Sequence, residues 1–226
     1  MEPKEEKDQK EVKPYPILDE IEEEVLKIED PTVVYGNPLF SYADYLTWPE
    51  DEMKEIINGI VYSFAAPLRK HMAATGAFFG KTWNFIKRRK GKCKIYVAPF
   101  DVRLPKNGET ADDKIYNVVQ PDICVICDES KLDEKGCVGA PDLVVEVSSP
   151  STSKRDLNDK YYLYESAGVQ EYWVVYPENK AVTKFLLQPD GKFNKGATYE
   201  VVKKQTKVPV QTLKGLIIDL EELFED

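Results

Sequence analysis

Residues Ala140-Pro141-Asp142-Leu143-Val144-Val145-Glu146-Val147-Ser148-Ser149-Pro150 decide the fold. Side chains alternate along a strand, so Asp142, Val144, Glu146 and Ser148 share one face while Leu143, Val145 and Val147 take the other. A run this apolar belongs inside a sheet, and Pro150, which has no N–H to give a ladder, ends it. An ionised Glu146 in such a place is costly, on the order of several kcal/mol, unless it is paired or binds a metal. Asp142 cannot be its partner on one ion, because four residues at roughly 3.3 Å each separate the two by about 13 Å.

A second Pro-Asp pair, Pro121-Asp122, lies in the β-branched run from Asn117 to Cys127. Placed on a neighbouring strand, Asp122 converges with Glu146 to make an oxygen-rich half-shell suited to Mg²⁺, with Mn²⁺ as a substitute. The metal activates a water and stabilises charge on a phosphoryl oxygen. Lys94 to Phe100 reads as a third adjacent strand. Between Pro67 and Gly91, Met72, Gly76, Phe79, Trp83 and Ile86 repeat at helical spacing. After Pro150, Ser151, Thr152 or Ser153 caps a helix through Leu157, Tyr161 and Tyr164 that stops at Gly168, and a strand follows over Glu171 to Tyr176.

Closer to the termini, Ser41 to Glu52 reads as a short helix, and Glu55 to Phe64 as a hairpin about Asn58-Gly59. Turns near Glu178-Asn179 and Asp190-Gly191 mark further hairpins, and a short acidic helix starts at Leu220. The expected fold class is α/β, a central mixed β-sheet flanked by helices with extra β-hairpins on the C-terminal side.

With 226 residues, the chain suits one domain preceded by a tail. Residues 1–30 form that tail: a charged stretch to Lys13, then Leu18, Ile21, Val25 and Ile28 at the spacing of an amphipathic helix that Pro31 ends. Residues 31–226 are the folded domain. Twelve of the 40 acids and five of the 31 bases precede Pro31, leaving twenty-eight acids against twenty-six bases, so most of the net charge of -9 belongs to the tail. Between Glu55 and Asp101 there is no acid, while Arg69, Lys70, Lys81, Lys87, Arg88, Arg89, Lys90, Lys92 and Lys94 fall there. Within this candidate phosphate footprint, Lys81, Lys87, Arg88 and Arg89 are the expected contacts. No apolar run reaches the roughly 18 residues of a membrane span, and the expected location is cytoplasmic. Cys93, Cys124, Cys127 and Cys137 lack a second metal-ligand pair and read as reduced structural thiols.

Pro121-Asp122, Ala140 to Thr152, Asp156, Lys160, Tyr164 and Gly168-Val169-Gln170-Glu171-Tyr172-Trp173 together resemble the putative restriction endonuclease family, once catalogued as a domain of unknown function. Glu55-Ile-Ile-Asn-Gly59, Ala66-Pro67 and His71 match its early motifs. That family is placed in the PD-(D/E)XK nuclease superfamily, so the resemblance implies a restriction-endonuclease-like fold and Mg²⁺-dependent hydrolysis of DNA. It casts Asp122 and Glu146 as the motif acids, with the Val147 carbonyl completing the metal shell. Ser148 stands at the usual lysine position, and Lys160, four residues from both Asp156 and Tyr164 on one helical face, is the expected replacement. Glu55, His71, Asp156 and Tyr164 are auxiliary candidates. A homodimer is expected by analogy with restriction enzymes. The rival readings are a catalytically silent nucleic-acid-binding module and a partner-binding protein.

Overall fold

The computed structural model describes residues 38–49, 53–63, 66–148 and 158–225. The amphipathic helix expected before Pro31, the cap at Ser151, Thr152 or Ser153, and Asp156 lie outside them. In chain order the elements are α1 (Tyr42–Tyr45), β1 (Lys54–Ile57), β2 (Ile60–Ser63), α2 (Arg69–Arg88), β3 (Lys94–Val97), β4 (Val102–Arg103), β5 (Val118–Val119), β6 (Ile123–Ile126), β7 (Leu132–Asp133), β8 (Gly136–Val138) and β9 (Leu143–Val147). There follow α3 (Asp159–Ala167), β10 (Glu171–Tyr176), β11 (Ala181–Leu186), β12 (Ala197–Glu200), β13 (Lys207–Pro209), β14 (Ile217–Asp219) and α4 (Leu220–Leu223).

Local chemistry sets several of these boundaries. Ser41 and Asp44 form a reciprocal capping box at the start of α1. Asn58 (φ 52°) and Gly59 (φ 80°) supply the two left-handed residues of a tight hairpin turn between β1 and β2. A side chain at Gly59 would also meet Leu39 Cβ at 2.8 Å. Gly168 (φ 90°) closes α3 in the left-handed conformation.

The central sheet has the order β12-β11-β10-β9-β6-β3, with β9 and β10 parallel and the other pairs antiparallel. A parallel pair requires a crossover, which the segment containing α3 supplies. On one face of this sheet, Ala74, Phe78 and Ile86 of α2 pack against Ile123, Val125, Val145, Trp173 and Val175. The opposite face, which carries Glu146, meets α3, where the rings of Tyr164 and Tyr172 lie 5.1 Å apart. A second six-stranded sheet has the order β2-β1-β5-β4-β8-β7, and the separate hairpin β13-β14 packs Val208 and Ile218 into the core between α2 and the central sheet.

One expected strand is divided in the structure and another is shortened. Asn117 to Cys127 reads as one run, yet β5 belongs to the second sheet and β6 to the central one. Pro121 lies between them and cannot donate to either ladder. Lys94 to Phe100 shortens to β3, after which β4 enters the second sheet. The chain therefore changes sheets beside Asp122.

The cysteines also depart from expectation. Cys93 and Cys127, one step beyond the Lys94↔Ile126 pair of the β3–β6 ladder, are joined as a disulfide. Only Cys124 and Cys137 are the buried free thiols that the sequence suggests for all four, and burial raises both their pKa values, that of Cys137 to about 11.

Candidate active site

Beside the crossing between the sheets, side chains from β1, β9 and α3 come together. Glu55 on β1 and Glu146 on β9 each place an Oε1 atom 2.9 Å from Lys160 Nζ. Tyr164 donates its hydroxyl to the same Glu146 oxygen at 2.6 Å. The i, i+4 spacing of Lys160 and Tyr164 on α3 is what lets both reach one carboxylate. All four residues are buried, with Glu55 wholly inaccessible and Lys160 only 3% exposed. Burial and the nearby Glu146 and Glu55 carboxylates hold the Tyr164 phenol well above its usual pKa, so it is a proton donor at neutral pH.

Asp122 lies one step beyond the Ile123↔Val145 pair, opposite Glu146 in the extended register. Its Oδ2 accepts the Val147 amide at 2.6 Å, and its Oδ1 lies 2.9 Å from His71 Nε2 on α2. Asp142 does the same job at the other end of the ladder, where its Oδ2 accepts the Cys127 amide at 2.7 Å. Each Pro-Asp pair thus pins the end of the strand beside it. Contact with the histidine is what separates Asp122 from Asp142.

Glu55, Glu146 and Asp122 bring three carboxylates to this end of the sheets, and Lys160 balances one of them. Glu55 Oε2 is buried with no hydrogen-bond partner, while Glu55 Oε1 accepts both Lys160 and the Gln120 amide. An orphaned, buried carboxylate oxygen such as Glu55 Oε2 is the kind of hard oxygen donor that a divalent cation takes. Among the described residues, no group of three or more His, Cys, Asp or Glu side chains is placed to hold a metal ion.

The expected phosphate contacts lie elsewhere. Lys94 pairs with Ile126, the end of β6 remote from Asp122, and Arg88 ends α2 about 25 Å along the helix from His71, at 1.5 Å per residue. Within that group, Lys81 is ion-paired with Glu222, and Arg89 donates to the Lys214 carbonyl at 3.3 Å. Lys87 stands 4.4 Å above the Trp83 ring, and Arg88 is exposed.

Sequence reasoning missed the supports behind Glu55. Gln120 donates its side-chain amide to Tyr45 Oη and Asp101 Oδ1, each at 2.9 Å, and Asp101 also accepts the hydroxyls of Tyr42 and Tyr45. Adjacency of Gln120 to Pro121-Asp122 was the available signal. Tyr45 and Asp101 carried none, because only the crossing brings them near.

A protein-family model described as "Putative restriction endonuclease" matches residues 42–221. An uncharacterized protein of Synechocystis, slr1290, is 26% identical over 157 residues, covering 68% of this chain and 77% of its own. A crystal structure described as a putative nuclease of Anabaena variabilis superposes with a TM-score of 0.64 at 19% identity. That superposition covers 82% of this chain and 98% of the Anabaena chain, so the two share a fold. Among the described residues, no helix is long and apolar enough to cross a membrane.

Proposed function

The chain belongs to the putative restriction endonuclease family, and from that premise we propose that it is a Mg²⁺-dependent nuclease that hydrolyses phosphodiester bonds in DNA. The observation that carries this reading is the ammonium of Lys160 held at 2.9 Å from both Glu55 and Glu146. Ser148 leaves the motif position without a lysine, and the helix after the strand returns a lysine to the same carboxylate.

In this reading Asp122, Glu146 and the Val147 carbonyl hold the cation, and Mn²⁺ substitutes for Mg²⁺. When bound, the ion supplies Lewis acidity, easing deprotonation of water and offsetting charge on a phosphoryl oxygen. Lys160 orients the attacking water from its place between the two carboxylates. Tyr164 fixes the rotamer of Glu146, and Glu55 fixes Lys160. The water oxygen forms a new bond to phosphorus, one ester P–O bond breaks, and the departing oxygen takes up a proton. A homodimer would supply the two sites that cutting both strands needs.

The two Pro-Asp pairs provide the test, since each aspartate makes one comparable bond to a neighbouring strand. Asp142→Asn is expected to lower stability by about 1.5–3 kcal/mol, the range for a hydrogen bond to a charged group, and to leave a folded, active nuclease. Asp122→Asn is expected to lose a similar amount and all nicking of supercoiled plasmid in Mg²⁺. Equal activity in the two variants would rule out Asp122 as a metal ligand. A wild-type protein that binds plasmid without nicking it in Mg²⁺ or Mn²⁺ would favour the silent binding module.

His71 bears on the same ion through Asp122. Residues that hydrogen-bond a metal ligand usually contribute about 10- to 100-fold in affinity. His71→Ala is therefore expected to weaken Mn²⁺ binding by that factor in a titration calorimeter, with His71→Gln restoring part of it.

A further inference from the structure

Helix α2 has an outward face that no other described residue covers. Met72, Gly76, Ala77, Trp83 and Lys87 are exposed along it. A Cβ added at Gly76 or Gly80 would meet nothing within 4 Å. Glycine is the poorest helix former after proline, so the fold itself has no use for two of them in the middle of a 20-residue helix. Their absent side chains keep the surface low between Met72 and Trp83.

The charge of this face is one-sided. Residues 56–100 contain no acid and nine lysines and arginines. Lys70, Lys81 and Lys94 are ion-paired with Glu178, Glu222 and Glu129. Lys87, Arg88, Lys90 and Lys92 are exposed, and no described carboxylate pairs with any of them. Lys87 lies over Trp83, whose ring is stacked on Phe79 and whose side chain is 42% exposed, a cation and an aromatic plate presented together. At its other end the helix delivers His71 to Asp122.

We propose that the outer face of α2 is a track for the backbone of duplex DNA, leading from the Asp122 end of the helix to the Lys87–Lys92 end. This rests on the nuclease reading above and adds to it the path of the substrate. The unpaired cations take phosphates, and the glycine stretch admits the backbone between them. Sixteen residues separate His71 from Lys87, about 24 Å at 1.5 Å per residue. With one base pair per roughly 3.4 Å, the grip falls about seven base pairs from the bond that is cut. A second copy of this chain is the poorer occupant, since two such faces would set uncompensated cations against each other.

The test is fluorescence anisotropy of a labelled duplex with the full chain, Ca²⁺ replacing Mg²⁺ so that binding is read without cleavage. Changing Lys87, Arg88, Lys90 and Lys92 together to Ala should lower the slope of log affinity against log salt by roughly 3 to 4, at about 0.9 per phosphate. The Gly76→Gln/Gly80→Gln variant should keep or raise the melting temperature, because the added side chains meet open space and favour helix. Its duplex affinity should fall about tenfold, the opposite sign to its effect on stability. The deficit of the four-alanine variant should vanish on duplexes shorter than about seven base pairs. Wild-type affinity and salt slope in both variants would overturn the track. So would a wild-type dimer that the glycine variant splits, as seen by light scattering, with DNA affinity unchanged. A wild-type protein that neither binds nor cuts DNA would instead remove the nuclease reading, and the track with it.

Discussion

Lys160→Met is expected to lower the stability of the protein by about 3–5 kcal/mol, the range for removing one partner of a buried ion pair, and to abolish cleavage. The size follows from placement. The ammonium is 3% exposed and bridges two carboxylates that are themselves buried, so its loss takes from Glu55 and Glu146 the positive charge they share. An exposed pair of the same geometry would contribute only about 0.2–1 kcal/mol. Urea unfolding measures the difference, and a loss under about 1 kcal/mol would show that the bridge carries little. Adding Glu55→Gln to Lys160→Met should recover part of the stability by removing one stranded charge. Activity should stay absent, because the group proposed to orient water is still missing.

Glu146→Gln should produce the converse pattern. A glutamine oxygen can still accept the Lys160 ammonium and the Tyr164 hydroxyl that now converge on Glu146 Oε1, so the network keeps its shape. The anionic donor is lost, and with it a ligand of the proposed divalent ion. Cleavage under saturating Mg²⁺ is expected to fall by about 10³-fold or more, equivalent to about 4 kcal/mol of transition-state stabilisation. Single-turnover rates on a labelled duplex give the comparison. A fall of less than about tenfold, with the fold intact, would remove Glu146 from the catalytic set.

Much of the fold was legible because its signals are local. The alternation about Glu146, the helical repeat from Met72 to Ile86, the Asn58-Gly59 turn and the stop at Gly168 each depend on residues close in sequence. The three central strands are adjacent as expected, in the order β9-β6-β3. What sequence periodicity concealed was the change of sheet within a single apolar run. Val118-Val119 and Ile123 to Ile126 look continuous, and only pairing partners far along the chain assign them to different sheets.

The same distinction governs the candidate site. Glu146 stood out as a costly buried acid that demanded a partner, sought in Asp122, whereas Lys160 and Tyr164 entered through the family resemblance and their shared helical face. Asp142 could be set aside on strand geometry, and its bond to the Cys127 amide gives it a structural role. Glu55 needed a contact over ninety residues away to distinguish it from a solvated strand-end acid. Gln120, Tyr45 and Asp101 depend entirely on the sheet crossing. The disulfide was misread for a related reason: Cys93 and Cys127 become neighbours only through the β3–β6 register. The basic residues cluster in sequence, but the distance of Lys87 to Lys92 from Asp122 follows from the direction of α2, which composition does not encode.

In the proposed reading, Asp122 and Glu146 hold the ion used in hydrolysis. Anomalous scattering from crystals soaked in Mn²⁺ tests it most directly. The expected result is one strong peak within bonding distance of an oxygen from each of Asp122 and Glu146, absent in crystals of the Glu146→Gln variant. A fully active protein whose Mn²⁺ peak lies away from both carboxylates, or survives unchanged in that variant, would contradict the account.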